Sequence, residues 1–437
     1  MARSIPSTWG ANVSPFVLLI GYAWSALGSP FDFDRAPVNY ATAPADDAIA
    51  PLIAKLRAGH LKLHDDPQHG YLVAILKELQ IPQSSQVLVF SKTSLQRQRI
   101  SPRTPRAIYF NDEVTVGFCM RGDVLEVAAA DPNLGTVFYT VEQHGEQQGN
   151  LFKRQTESCL VCHGSSSNQG FPGHLIRSVS ADQTGELVLS RGTRRVDHTT
   201  PLAERWGGWY VTGISGSQKH LGNRIVSGRQ GADETQDASN RSSLEGIVSL
   251  GRYLTPHSDI VALMVLEHQA EAHNRIVRAN YLTRLALIEQ AEINAMLGEN
   301  SASRSEGITR RIERACEPVV QCLLFSEEAR LVDRVSGTSN FASDFVSRGP
   351  FDAKGRSLRE FDLQKRMFRY PLSYVVYGRL FDGLPPEAKL RIYRRLYDVL
   401  TGVDQTKEFE HLTAMDRKAI LEIVRGTKKG LPAYWKS

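Results

Sequence analysis

Cysteine is scarce: five residues in 437, too few for a disulfide-stapled scaffold. An excess of one charge is missing as well. Lysine plus arginine number 52 and aspartate plus glutamate 47, a net charge of +5. The basic residues form only short clusters, which excludes the stripe that a nucleic-acid binder concentrates on one face. No Walker loop, dinucleotide fingerprint, nucleophile elbow or metalloprotease helix occurs. Beyond the N-terminus no apolar run reaches the ~20 residues a membrane span needs. There is no internal repeat. What is present, 41% hydrophobic and 23% charged residues, is ordinary globular composition with length for two or three domains. It excludes disordered, collagen-like and coiled-coil chains and specifies no chemistry.

The N-terminus carries an address. Arg3, the apolar run Phe16 to Trp24 and the small residues Ala26 and Gly28 predict a secretory signal over residues 1–28, cleaved after Gly28. A buried N-terminal helix or an uncleaved anchor is the competing reading. An exported, periplasmic location is expected, with no integral membrane segment after cleavage.

Chemistry enters at Cys159-Leu160-Val161-Cys162-His163, the C-x-x-C-H signature of covalent haem c attachment. Two thiols one helical turn apart add to the porphyrin vinyl groups, and the adjacent histidine becomes the proximal iron ligand. At this chain's cysteine and histidine frequencies a chance match is expected roughly 0.002 times. A thioredoxin-like redox pair would need a βαβ context that the flanks lack. A structural zinc site would need a second ligand pair at compact spacing. Of the other cysteines, Cys119 reads as strand core. Cys316 and Cys322 suit either a small-loop disulfide or two buried small residues on one helix.

The pattern predicts an α+β protein. Residues 29–104 read as a helical and loop segment, with helices at 46–58 and 70–79, leading into a sheet. Residues 105–235 read as a β-rich, mainly antiparallel haem c domain, with a hairpin turn at Asp182-Gln-Thr-Gly. Residues 245–437 read as an all-helical domain. Its long helix runs from Ile260 to Leu297 and ends at Gly298, with further helices near 306–333, 357–379, 385–400 and 413–425. Thr413-x-x-Asp416 is a capping box opening the last of these. The order of strands around the motif looks loosely PAS-like, a fold-level analogy only.

Several stretches carry a resemblance: Ser91-Lys-Thr-Ser-Leu-Gln, Ile100-Ser-Pro-Arg-Thr-Pro-Arg, Tyr109-Phe-Asn-Asp, the C-x-x-C-H, Arg205-Trp-Gly-Gly-Trp-Tyr-Val-Thr-Gly and Tyr370-Pro-Leu-Ser-Tyr. Over nearly the whole mature chain the sequence resembles a family of secreted bacterial mono-haem c-type cytochromes. The resemblance implies haem c and export, and no particular reaction.

Function turns on the iron's sixth position. His198 has a carboxylate neighbour to orient it, His220 lies in a glycine-flanked loop, and His174 comes soon after the motif. Met264 and His268 share a face of the long helix, and they rank behind the other three because they would require domain docking. For each, a buried or hydrogen-bonded side chain is the competing reading. Arg177, Arg191, Arg194 and Arg195 are candidates for the haem propionates, against a solvated β-surface. Trp206, Trp209 and Tyr210 are candidates to pack on the porphyrin, against plain core. The leading expectation is single-electron transfer to an unidentified redox partner protein. A peroxidase or oxygenase with an open distal side, and a gas or redox sensor, are the alternatives.

Overall fold

A computed structural model describes residues 33–143, 148–226, 239–300 and 303–436. The predicted signal at 1–28 lies outside the described residues, as do the first residues of the segment expected to begin at 29. Among the described residues no helix is long and apolar enough to cross a membrane.

Two short helices, α1 (Ile49–Arg57) and α2 (Leu72–Glu78), open the described chain. Six strands come next: β1 (Val87–Val89), β2 (Arg106–Phe110), β3 (Val114–Phe118), β4 (Val124–Asp131), β5 (Gly135–Glu142) and β6 (Phe152–Gln155). The motif turn, α3 (Leu160–His163), is followed by the paired β7 (Arg177–Val179) and β8 (Thr193–Arg195), and then by β9 (Trp209–Tyr210). The main sheet is a meander with one addition, ordered β6-β5-β4-β3-β2-β1-β9, and every pairing is antiparallel. The expected start of the β-rich region at 105 is too late, because β1 already pairs with β2.

The alternation of β4 sorts the two faces. Leu125, Val127 and Ala129 are buried, while Val124, Glu126 and Ala128 are partly exposed. On the partly exposed face the rows Phe138–Ala128–Thr115 and Thr140–Glu126–Gly117 lie side by side. Apart from Phe138 and Glu126 these side chains are small, so this face stands low.

After β10 (Gly213–Ile214) the chain enters α4 (Ile260–Leu297), bounded as expected. Asp259 caps it with Oδ1 accepting from the Val261 and Ala262 amides, and Gly298 ends it with φ +67°. All residues from Ile260 to His273 are buried, so this half of the helix is enclosed on every side. α4 lies across the turns at one end of the sheet. Gln269 donates to the Asn111 carbonyl at 2.8 Å, Asn280 to Pro132 at 2.9 Å and Tyr281 to Leu134 at 2.8 Å.

Packed around it are α5 (Glu306–Leu323), β11 (Ser336–Gly337), paired with β10, and α6 (Phe341–Ser347). The chain closes with α7 (Arg379–Asp382), α8 (Pro386–Leu400) and α9 (Ala414–Thr427). The capping box at Thr413 and Asp416 is formed. The helix expected over 357–379 is not. Asp362 folds back to accept from the Gln364 and Lys365 amides, Phe361 bridges to Phe368, and Pro371 interrupts the second half of the segment. Side-chain-to-backbone bonding of this kind competes with helix formation. The hydrophobic core is continuous from the sheet into the helices. The change near residue 240 is therefore one of element type, with no gap in packing.

Candidate functional site

The motif forms one short turn at the surface. The Leu160, Val161 and His163 amides reach back to the carbonyls of Glu157 and Cys159. Cys159 is half-buried, Cys162 is exposed and both are free thiols. Val161 between them is 75% exposed. His163 points inward instead, its ring 4.7 Å from that of Phe138 on β5. Its Nδ1 lies 2.9 Å from the Gly173 carbonyl. A carbonyl only accepts, so Nδ1 carries the proton and Nε2 keeps its lone pair. Burial lowers the pKa of this imidazole, which is therefore neutral at pH 7.

The Gly173 carbonyl is held in place from two sides. Asn168 donates to the carbonyls of His163 at 3.2 Å and Phe171 at 2.8 Å. Asn274 of α4 receives the His174 amide at 2.9 Å and donates to the His174 carbonyl at 2.8 Å. A Cβ on Gly173 would stand 2.2 Å from Asn274 Oδ1 and 2.3 Å from Asn168 Nδ2, so any side chain there must push both asparagines out of place. Beside the motif, Arg106 and Glu126 pair at 2.7 Å across the low face of the sheet, and Arg106 lies over Gly117.

The distal candidates are dispersed. His174 adjoins Gly173, the residue that takes Nδ1, and its backbone is held by Asn274. Its ring is 5.9 Å from that of His273, and burial drops its pKa to about 3. His220 has both ring nitrogens occupied, Nε2 at 3.0 Å from the Ser239 carbonyl and Nδ1 receiving the Gly222 amide at 3.1 Å. His198 and His268 face each other, Nδ1 to Nδ1, at 3.3 Å. Met264 is buried in the enclosed half of α4.

The proposed haem-packing residues also require correction. Trp209 and Tyr210 form β9, five strands from Phe138, which at ~4.8 Å per strand is about 24 Å. Trp209 donates to the Arg177 carbonyl and Tyr210 to Pro102, while Arg177 itself donates to Thr193. Trp209 and Tyr210 form the opposite edge of the sheet, and Arg177 lies on the separate β7–β8 pair beside it. Trp206 is fully buried against His220. Arg194 pairs with Glu204, and Arg195 with Glu271 on α4. Cys316 and Cys322 lie on α5 as free, buried thiols, so the disulfide alternative falls.

Phe138, Asn168, Gly173, Asn274 and Arg106 were not found by reading the sequence. Only Gly173, in Phe171-Pro-Gly-His, left a local mark as a turn residue. The chain matches no protein-family model, no curated protein and no solved structure.

Proposed function

We propose that this protein is an exported mono-haem c-type cytochrome whose reaction is single-electron transfer. The observation that carries the reading is the state of His163: Nδ1 is committed to the Gly173 carbonyl, and Nε2, with its lone pair, is left for iron. Proximal histidines are held by a bond of this kind, which fixes tautomer and ring orientation. Cys159 and Cys162 would hold the porphyrin through thioether bonds, and His163 would ligate its metal. When bound, the group supplies a one-electron iron couple.

The chain's own residues do the rest. Phe138 backs the imidazole, burial keeps it neutral, the Gly173 carbonyl fixes its tautomer, and Asn168 and Asn274 hold that loop. Exposure of Val161 and Cys162 keeps the attachment turn open to a docking redox partner. Arg106, already at the motif, takes over the propionate role first given to Arg177.

A second reading, a peroxide- or gas-binding site with an open distal position, is favoured by one observation. Of the candidate second ligands, His198 and His268 face each other, and both ring nitrogens of His220 are taken by Ser239 and Gly222. A PAS-like sensor is a version of it. Absorption spectra of the purified protein separate the readings. A low-spin ferric and ferrous pair, with haem that stays on the denatured chain, is expected for electron transfer. A high-spin ferric spectrum at neutral pH favours the open site. Loss of all haem on denaturation defeats both.

A further inference from the structure

Away from the motif, the fold assembles a second set of soft donors. His198 lies between β8 and β9, His268 on α4, and Cys322 in the last turn of α5. All three are buried, and one donor atom from each lies within 4.8 Å of the others. Among the described residues this is the only group of three His, Cys, Asp or Glu side chains so placed. We infer that His198, His268 and Cys322 form a binding site for one thiophilic transition-metal ion of the zinc–copper class.

Four observations support the site. The two Nδ1 atoms are 3.3 Å apart, and two nitrogens bound at ~2.0–2.1 Å around a tetrahedral ion stand about 3.3 Å from each other. The outer nitrogen of His268 is already engaged, Nε2 lying 2.7 Å from Ser373 Oγ, the support that ligating histidines have. The outer nitrogen of His198, Nε2, makes no hydrogen bond of ordinary geometry, but the Ser326 backbone lies beside that ring as an acceptor for the proton that an ion at Nδ1 would fix on Nε2. Phe325 is held at φ +58°, a left-handed conformation costly for an aromatic residue, and its ring stacks on His268 at 4.2 Å.

The frame is stiff. The His198 carbonyl receives the Ala329 amide at 3.0 Å and Arg205 at 3.1 Å. Ser373 is tied to the residue after Cys322, its amide donating to the Leu323 carbonyl at 2.8 Å.

Charge and protons balance. Burial holds His198 at a pKa of about 4 and His268 well below its usual value, so both rings are neutral donors. Burial raises Cys322, which is a thiol until an ion arrives. Binding breaks its S–H bond, forms a sulfur–metal bond and releases one proton to solvent. Two imidazoles and one thiolate are the donor set of copper electron-transfer sites and, with a fourth ligand, of zinc. The site does not depend on the haem reading.

The test uses full-length protein carrying Cys159→Ser and Cys162→Ser, so that the motif thiols bind nothing. It is incubated with Zn(II), Cu(II) or Co(II), desalted, and examined by metal analysis and absorption. One equivalent of zinc or copper is expected, with a sulfur-to-cobalt charge-transfer band in the cobalt form. Adding Cys322→Ser or His268→Gln should abolish the band, whereas adding Cys316→Ser should leave it. Ser373→Ala, which keeps the ligands, should weaken binding about 10–100-fold. If the ligand variants fail to fold, the cobalt band of the parent and the Ser373→Ala shift still decide. Absence of the band with substoichiometric zinc and copper, or a band that survives Cys322→Ser, overturns the inference.

Discussion

The chain places cysteine and histidine together twice, in opposite ways. At the motif, Cys159, Cys162 and His163 fall within five consecutive residues on a surface turn, with Cys162 exposed. In the interior, His198, His268 and Cys322 come from three separate elements and are fully enclosed. The first group needs only one helical turn to reach its geometry. The second exists only once α4 and α5 have docked on each other and on the loop before β9. A local group tolerates damage elsewhere in the fold, while a distributed one shares the fate of the core.

The sharpest break in that comparison is removal of the motif thiols. Cys159→Ala with Cys162→Ala should abolish covalent haem in a haem stain of denatured protein. The melting temperature of the metal-free chain should change little, since Cys162 is exposed and Cys159 only half-buried. Next in size is Arg205→Ala. Arg205 and Glu267 are 3% and 0% exposed and pair at 3.1 Å beside His198. Truncation removes the cation beside buried Glu267 and the donor to the Thr200 and His198 carbonyls, and should cost about 3–5 kcal/mol by urea unfolding. Haem attachment at the surface turn should persist.

Gly173→Ala comes third. The added methyl forces Asn274 and Asn168 aside and should cost about 1–3 kcal/mol. It should also shift the spectrum of bound haem while leaving its covalent attachment intact, the signature of a positioning residue.

A pH measurement sharpens the same contrast. His198 holds fewer protons folded than unfolded between pH 6.5 and about 4, so its share of stability is lost as pH falls through that window. Burial acts oppositely on Glu267, raised to about 7 even with Arg205 beside it, which favours the folded state as pH falls from 7 to 4.5. In metal-free protein His198→Asn should therefore flatten the acid limb of stability against pH by one proton. The smallest effect is expected for Thr413→Ala, which removes the α9 capping box and should cost about 1 kcal/mol. Neither Cys/His group should notice.

Legibility in the sequence divides along the same line. The motif, the strands of the meander and the bounds of α4 are encoded by neighbours in the chain, in thiol spacing, alternation and caps. Trp209 and Tyr210 went astray because sequence proximity to the motif says nothing about which edge of the sheet a strand joins. His198 and His268 were both singled out, but as rivals for one iron. That they face each other, with Cys322 beside them, depends on how α4 crosses the sheet and on the backbone at Phe325. The helix expected at 357–379 failed because Asp362 bonds locally to its own backbone, a competition that apolar spacing does not reveal.

The clasp of Asn274 on the loop at His174 spans one hundred residues of chain. A ribosome delivers the two halves of that clasp in order, His174 first. Until α4 arrives, the segment from Cys159 to His174 lacks its lock. Docking of α4 then fastens the carbonyl behind His163. The turn of Cys159, Cys162 and His163 is thus made before the helix that locks the loop behind it.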